Sequence, residues 1–310
     1  CFLEITLKFK LDEIINCTGA KVLHQKDLTG EFEISTDTRK LEKGSIYLPL
    51  RGENYDGHNF IDKALELGAR GYFTQDKFKV NKNADFVLYV ENSLVAYLKL
   101  ANYIRNKINP KVIAITGSSG KTTTKEMLFC VLSTTYKTHK TYLNHNNEIG
   151  LCQTFFTMPD DCEAVVVEMG MRNLGEIELL SSYCKPDIGI ITNIGSAHVE
   201  RLGNLKNIAI AKCEIAAGLK KDGVFISPNS TKIKDNLNYD GEKIFTDFND
   251  VSNVKISVSH SEFTYEGVDY VLNVEGDYNI ENTLLVIEAA KKLNISTKNI
   301  QKGLFDYKPI

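Results

Sequence analysis

The chain has 310 residues, 43% of them hydrophobic and 25% charged, with a formal net charge of −3. That is an ordinary globular make-up, long enough for about two domains. The small negative charge gives no electrostatic reason to expect nucleic acid or an anionic membrane as partner, and no run approaches the roughly 18 consecutive apolar residues of a membrane-spanning helix.

The seven cysteines (Cys1, Cys17, Cys130, Cys152, Cys162, Cys184 and Cys213) are scattered, with no C-x-x-C pair. An odd, unpatterned set reads as reduced thiols in the cytoplasm, not as a disulfide framework or zinc site. No signal peptide is visible. The chain begins at Cys1 instead of Met, so a residue or more is expected to precede it.

Along the chain, the first hundred or so residues read as a separate small α/β domain. Strand-like runs cover 44–50 and 71–74. Between them Phe60, Ile61, Ala64, Leu65 and Leu67 recur at helical spacing, and Gly68 ends the pattern. Leu94, Leu98, Ala101 and Ile104 line one face of a helix predicted over 93–107. Asn109-Pro110 closes it, because the residue before proline disfavours the helical conformation. The boundary is placed there, giving domains over 1–109 and 110–310. Within the first, S-T-D-T-R (Ser35, Thr36, Asp37, Thr38, Arg39) is dense in donors and acceptors. Arg39 has the fork geometry to grip a diphosphate. A capped turn with an exposed arginine reads equally well.

The second domain opens on V-I-A-I-T-G-S-S-G-K-T-T-T-K-E, residues 112–126. An apolar run reads as a buried strand, then comes a Gly-rich turn, Lys121-Thr122 and a helix-compatible run. This is the layout of a phosphate-binding loop, in which backbone N–H groups and the helix N-terminus cradle phosphate oxygens. Gly117, Ser118, Ser119, Gly120, Lys121, Thr122 and Thr123 are the candidate nucleotide contacts. Lys121 would reach the β- and γ-phosphates, and the Thr122 hydroxyl would sit on Mg²⁺. Ile115 stands where the longer G-x-x-x-x-G-K-[ST] spelling has its first glycine, so the match is the shorter T-G-S-x-G-K-T. The plain alternative is a Gly/Ser-rich turn with an exposed lysine; strand, turn, Lys-Thr and helix in that order count against it.

Strands and helices then alternate. Apolar, β-branched runs at 164–168, 188–193 and 224–227 have strand length, and helical patterns lie near 123–132, 176–182 and 208–219. Such βα units imply a mostly parallel sheet flanked by helices. Shorter β segments over 242–274 and a helix over 279–293 follow. Ligands of such sheets bind at the carboxyl ends of strands. Glu168 ends one apolar run, where a carboxylate beside a phosphate loop suits Mg²⁺ but reads as readily as an ordinary strand-end glutamate. His198 follows another; a lone histidine is more often structural than a ligand. Lys212 by itself reads as an exposed helix lysine near Glu214. Asn144, Asn146 and Asn147 in T-Y-L-N-H-N-N-E-I-G read as a turn or as amides offered to a polar substrate.

Taken in order, T-G-S-S-G-K-T-T-T-K-E, L-N-H-N-N-E-I-G, V-V-E-M-G-M, T-N-I-G-S-A-H-V-E and A-K-C-E-I resemble the motif set of the Mur ligases. These are ATP-dependent amide-bond ligases of peptidoglycan precursor synthesis. S-T-D-T-R with G-S-I-Y-L-P-L-R-G-E-N-Y-D-G-H-N-F-I fits their uridine-nucleotide domain, and the resemblance covers nearly the whole chain. It implies ATP and Mg²⁺ as cofactors, with Lys121, Lys212 and His198 as catalytic residues. It implies a metal site of Thr122, Glu168, His198 and Lys212, the last as the carbamate formed with CO₂. Asn279 and Asn282 in G-D-Y-N-I-E-N match the segment that contacts adenine, with Tyr278 where the family carries histidine. Ser35, Asp37, Thr38, Arg39, Asn144, Asn146 and Asn147 are the implied contacts of the UDP substrate.

The Ser-Ser of the phosphate loop, the K-E after T-T-T and N-N-E-I-G favour the member that joins D-alanyl-D-alanine to UDP-N-acetylmuramoyl-tripeptide. A cytoplasmic monomer without nucleic-acid or membrane partners is expected. The family also carries a C-terminal domain that closes over ATP. The chain stops at G-L-F-D-Y-K-P-I, about where that domain would start. These residues are therefore expected to be two domains of a longer enzyme, without turnover of their own. The competing readings are a Mur ligase adding another amino acid, a folylpolyglutamate or cyanophycin synthetase-like ligase, a P-loop NTPase or kinase, and a non-catalytic UDP-sugar-binding module. The NTPase or kinase leaves Lys212 and His198 without a role.

Overall fold

Short, nearly continuous apolar strands separated by helices build a five-stranded sheet in the first part of the chain. The computed structural model describes residues 7–309 apart from Asp27, Leu28, Glu53, Lys79 and His198. It divides into two units, one of Cys1–Lys107 with Phe155–Thr157 and one of Ile108–Thr154 with Met158–Ile310. The first contains β1 (Phe9–Lys10), α1 (Leu11–Thr18), β2 (Lys21–Gln25), β3 (Glu31–Phe32), β4 (Ile34–Ser35), β5 (Ile46–Tyr47), α2 (Ile61–Glu66), β6 (Gly71–Thr74), β7 (Phe86–Tyr89) and most of α3 (Ser93–Ile108). The sheet order is β2-β7-β6-β5-β4, parallel except for β2 against β7. Tyr72, Phe73, Phe86, Val87 and Leu88 bury its centre. The strand predicted over 44–50 shortens to β5, because Pro49 has no N–H to give to a ladder. Phe156 stacks on Tyr97 at 5.0 Å and lies 5.6 Å from Phe9. That packing draws 155–157 into this unit, which local sequence gave no sign of.

The second unit is built on β8 (Lys111–Thr116), β9 (Thr138–Lys140), β10 (Ala164–Glu168), β11 (Ile188–Ile191), β12 (Val224–Pro228) and β13 (Glu242–Thr246). Their order is β13-β12-β11-β8-β10-β9, and every pairing is parallel. The helices are α4 (Lys121–Leu132), α5 (Glu148–Phe156), α6 (Glu176–Cys184), α7 (Val199–Leu202), α8 (Leu205–Cys213), α9 (Thr231–Lys234), α10 (Asp277–Lys292) and α11 (Thr297–Asp306). An antiparallel sheet of β14 (Val251–Ile256), β15 (Ser261–Tyr265) and β16 (Val268–Leu272) forms the predicted later β segment.

Ile113, Ile115, Val166 and Ile190 share a core with Met127 and Leu128 of α4 and Leu284 and Leu285 of α10. Val112, Ala114, Val165 and Val167, of opposite parity, are equally buried. Both faces of the parallel sheet are covered, as the apolar runs implied. The helix predicted over 208–219 is α-helical only to Cys213 and continues as a 3₁₀ turn, Glu214–Gly218. The chain crosses from β10 to β11 on the other side of β8, so a topological switch point falls at the carboxyl ends of these three strands.

Candidate active site

The switch point is where the phosphate loop forms. β8 ends at Thr116, the loop runs over Gly117–Gly120, and Lys121 begins α4. Gly120 caps the helix in the left-handed region, with φ 75°. The loop is tied to the residues after β11. Ser118 N donates to Asn193 O at 3.1 Å, Ser119 N donates to Asn193 Oδ1 at 3.1 Å, and Asn193 Nδ2 donates to Ser119 Oγ at 2.8 Å. Gly195 N donates to Ser118 Oγ at 2.8 Å. Lys121 Nζ donates back to Gly117 O at 2.9 Å, and burial lowers its pKa against the opposing field of Glu168. Asn193, which braces the loop, is a residue that the sequence reading passed over. T-N-I-G was on the page, but its partner lies some seventy residues away.

A Cβ on Gly117 would clash with Thr192 Oγ1, and one on Gly120 would stand 2.8 Å from Asn282 Oδ1. Gly117→Ala is therefore expected to push the loop off β11. It should destabilise the unit by about 1–3 kcal/mol and weaken nucleotide binding, checked by thermal melting and an ADP titration.

Glu168, fully buried at the end of β10, meets the loop directly. Thr122 Oγ1 donates to its Oε2 at 3.0 Å, Asn146 Nδ2 donates to its Oε1 at 3.0 Å, and Lys125 Nζ lies 3.5 Å from Oε2. A hydroxyl and one carboxylate are hard oxygen donors. They suit Mg²⁺, which takes few protein ligands and keeps waters and phosphate oxygens for the rest. Among the described residues no three His, Cys, Asp or Glu side chains form a metal cage. His198, expected here, lies outside the described residues.

Lys212 is only 1% exposed on α8. Burial first, and the neighbouring Lys121 charge second, bring its ammonium down to about 7. The reading of an exposed lysine near Glu214 does not hold. Glu214 instead accepts from Gly175 N at 2.7 Å and Glu178 N at 3.3 Å, at the start of α6. Among the described residues Lys212 has no ion-pair partner.

Asn279 and Asn282 are buried near the start of α10, and Asn279 Nδ2 donates to Glu275 O at 2.7 Å. Asn282 borders Gly120, while Tyr278 is 65% exposed. Thr123 is half-buried in the first turn of α4. In the loop after β9, Asn146 is on Glu168, Asn147 Oδ1 accepts from Gly150 N at 3.0 Å, and Asn144 is exposed.

In the first unit, Ser35 Oγ donates to Asp37 O at 3.0 Å, and Asp37 caps the turn Thr38–Lys40 by accepting from Arg39 N. The Arg39 guanidinium grips the Asp37 carboxylate from Nε and Nη2, which holds that carboxyl down at about 2. The observed geometry is the capped turn with an exposed arginine.

The fold and loop define a phosphate-loop α/β protein with a buried carboxylate at a strand end, a half-buried lysine in the loop and a buried lysine on α8. The Mur ligase middle domain matches residues 115–290, and the catalytic domain of the Mur ligase family matches residues 33–116. The chain belongs to the Mur ligase family. It is similar to the UDP-N-acetylmuramoyl-tripeptide–D-alanyl-D-alanine ligases of Bacillus subtilis, at 38% identity over 87% of this chain and 61% of the relative, and of Escherichia coli, at 31% over 89% and 64%. It thus spans about three-fifths of the length of these curated relatives. A crystal structure of MurF from Acinetobacter baumannii superposes with a TM-score of 0.88 at 27% identity, covering 99% of this chain and 70% of that one. A MurF ligase from Thermotoga maritima in complex with ADP shares the fold, at TM-score 0.80 and 24% identity over 90% and 66%.

Proposed function

We propose that this chain carries the nucleotide and acid-substrate sites of an ATP-dependent ligase. The enzyme would add D-alanyl-D-alanine to a UDP-N-acetylmuramoyl-tripeptide, in the cytoplasm and as a monomer. The observation that carries the reading is the meeting of Lys121, Lys212 and the Thr122–Glu168 pair at one switch point. A kinase or motor has no use for a second buried lysine of near-neutral pKa there. The curated names of relatives point the same way.

In the implied reaction the tripeptide carboxylate attacks the γ-phosphorus of ATP, forming an acyl phosphate and expelling ADP. The amine of D-alanyl-D-alanine then attacks the acyl carbon, loses a proton and expels phosphate as the amide forms. The loop amides and Lys121 hold the phosphates and offset charge that otherwise repels the incoming carboxylate. Mg²⁺, held by Thr122 and Glu168 with His198 and carbamylated Lys212, would supply further neutralisation at the transferring phosphoryl group. Asn279 and Asn282 orient the adenine. Ser35, Asp37, Thr38 and Arg39 take the uridine diphosphate; Arg39 would exchange its carboxylate partner for phosphate. Asn144, Asn146 and Asn147 serve the rest of the acid substrate.

The test uses the chain extended to the full length of its relatives. ADP release is expected only when UDP-N-acetylmuramoyl-tripeptide and D-alanyl-D-alanine are both present. Equal release without the dipeptide, or with a single amino acid in its place, overturns the assignment.

A further inference from the structure

Lys125 lies one turn beyond Lys121 on α4, and its side chain is fully buried. A buried ammonium is tolerated only when paired and hydrogen-bonded. Its partners belong to three separate pieces of chain. Nζ lies 3.5 Å from Glu168 Oε2 and 3.6 Å from Glu126 Oε1, and donates to Leu143 O at 2.5 Å. Glu126 is also paired with Lys140. Leu143 sits at φ 48°, a left-handed conformation costly for a residue with a Cβ, so something outside the loop must hold it there. Three residues on, Asn146 donates to the other Glu168 oxygen, and its carbonyl accepts from Gly170 N at 2.8 Å. The loop after β9 is therefore fastened to one carboxylate at two points, directly through Asn146 and through Lys125 at Leu143. Asn144 and His145 are the exposed residues held between them.

We infer that Lys125 is a positioning residue that fixes the 141–147 loop against Glu168 and so presents Asn144 to the acid substrate beside the phosphate loop. The inference rests on the reading that this loop receives that substrate. Lys125, fully buried, would act through the loop and not by contact with nucleotide or acceptor. Its loss frees the Leu143 carbonyl and leaves two carboxylates short of a cation, while Lys121 and the loop glycines keep their places. A role in merely stabilising α4 would loosen helix and phosphate loop together.

The experiment compares the 310-residue chain with Lys125→Met. Amide hydrogen exchange over 142–150 is expected to quicken about tenfold while α4 keeps its protection. By calorimetry UDP-N-acetylmuramoyl-tripeptide should bind at least about tenfold more weakly, with ADP affinity in the presence of a chelator within about twofold. If the single variant does not fold, Lys125→Met with Glu126→Gln removes one charge of each sign and is read the same way. Unchanged loop exchange overturns the inference, as does a parallel loss of α4 protection and ADP affinity. If the parent chain does not bind the UDP compound, the functional reading fails, while the exchange arm still decides whether Lys125 tethers the loop.

Discussion

Lys121→Ala is expected to remove nucleotide-dependent turnover and leave the fold intact. Among the described residues the only hydrogen bond of its side chain is to the Gly117 carbonyl of its own loop, so truncation leaves no distant described group unsatisfied. The thermal midpoint should hold within the range of ordinary surface substitutions, about ±0.5 kcal/mol. The effect on chemistry is of another size. In the proposed reaction this ammonium meets the β- and γ-phosphates in a partly buried loop, where burial already presses on its charge. A donor placed where charge develops is worth about 10²–10³ in rate when removed. Turnover in the full-length chain should fall by at least that much, and ATP should bind more weakly by calorimetry with Mg²⁺ present. Equal ATP affinity in mutant and parent would sink the phosphate-loop assignment.

Much of this architecture was legible because the buried strands announce themselves. V-I-A-I, A-V-V-V and I-G-I-I are β-branched or apolar on both faces, and alternating with helical patterns they read as strands of a parallel sheet covered on both sides. The phosphate loop was legible because its backbone conformation needs glycine at Gly117 and Gly120. What escaped was non-local. Asn193 earns its place by bonding to Ser118 and Ser119, far away in sequence. Helix α1, only 8 residues long, is closed by Glu13 on Lys10 N and by Gly19 in the left-handed region, signals too short for a periodicity argument. Lys125 entered the sequence reading only as the K of the K-E after T-T-T; lysines are rarely buried unless paired, and the pairing exists only once β9, β10 and α4 have come together. Lys212 differs again. Its motif suggested a role, but its helical surroundings suggested exposure, and only the packing of α8 shows it buried.

That burial sets up the second large effect, carbamylation of Lys212. CO₂ reacts with the neutral amine, so the pocket must first discourage the ammonium. With its pKa brought from 10.5 to about 7, close to half of Lys212 is neutral at pH 7, and the fraction rises with alkalinity. Between those two values the unfolded chain holds a proton that the folded chain has shed, so this residue makes stability rise with pH across the window. The stabilisation is fully present above the unfolded value and is lost as pH falls through the folded one. Chain supplied with ¹³C-labelled bicarbonate is expected to show a carbamate signal that grows as pH rises through about 7. The signal should vanish in acid and be absent from Lys212→Ala. Once formed, the carbamate exchanges a cation beside Lys121 for an anion, relieving the repulsion that helps lower the pKa. It also supplies a hard oxygen donor of the kind Mg²⁺ takes. In the full-length chain Lys212→Ala should therefore cost about 10²–10³ in turnover, and short carboxylic acids should restore part of it by standing in for the missing group. Lys212→Arg keeps the cation and should not be rescued. Full turnover of Lys212→Ala would refute the role outright, because a residue used only for packing would show its loss in the thermal midpoint and in nothing that an added acid could repair.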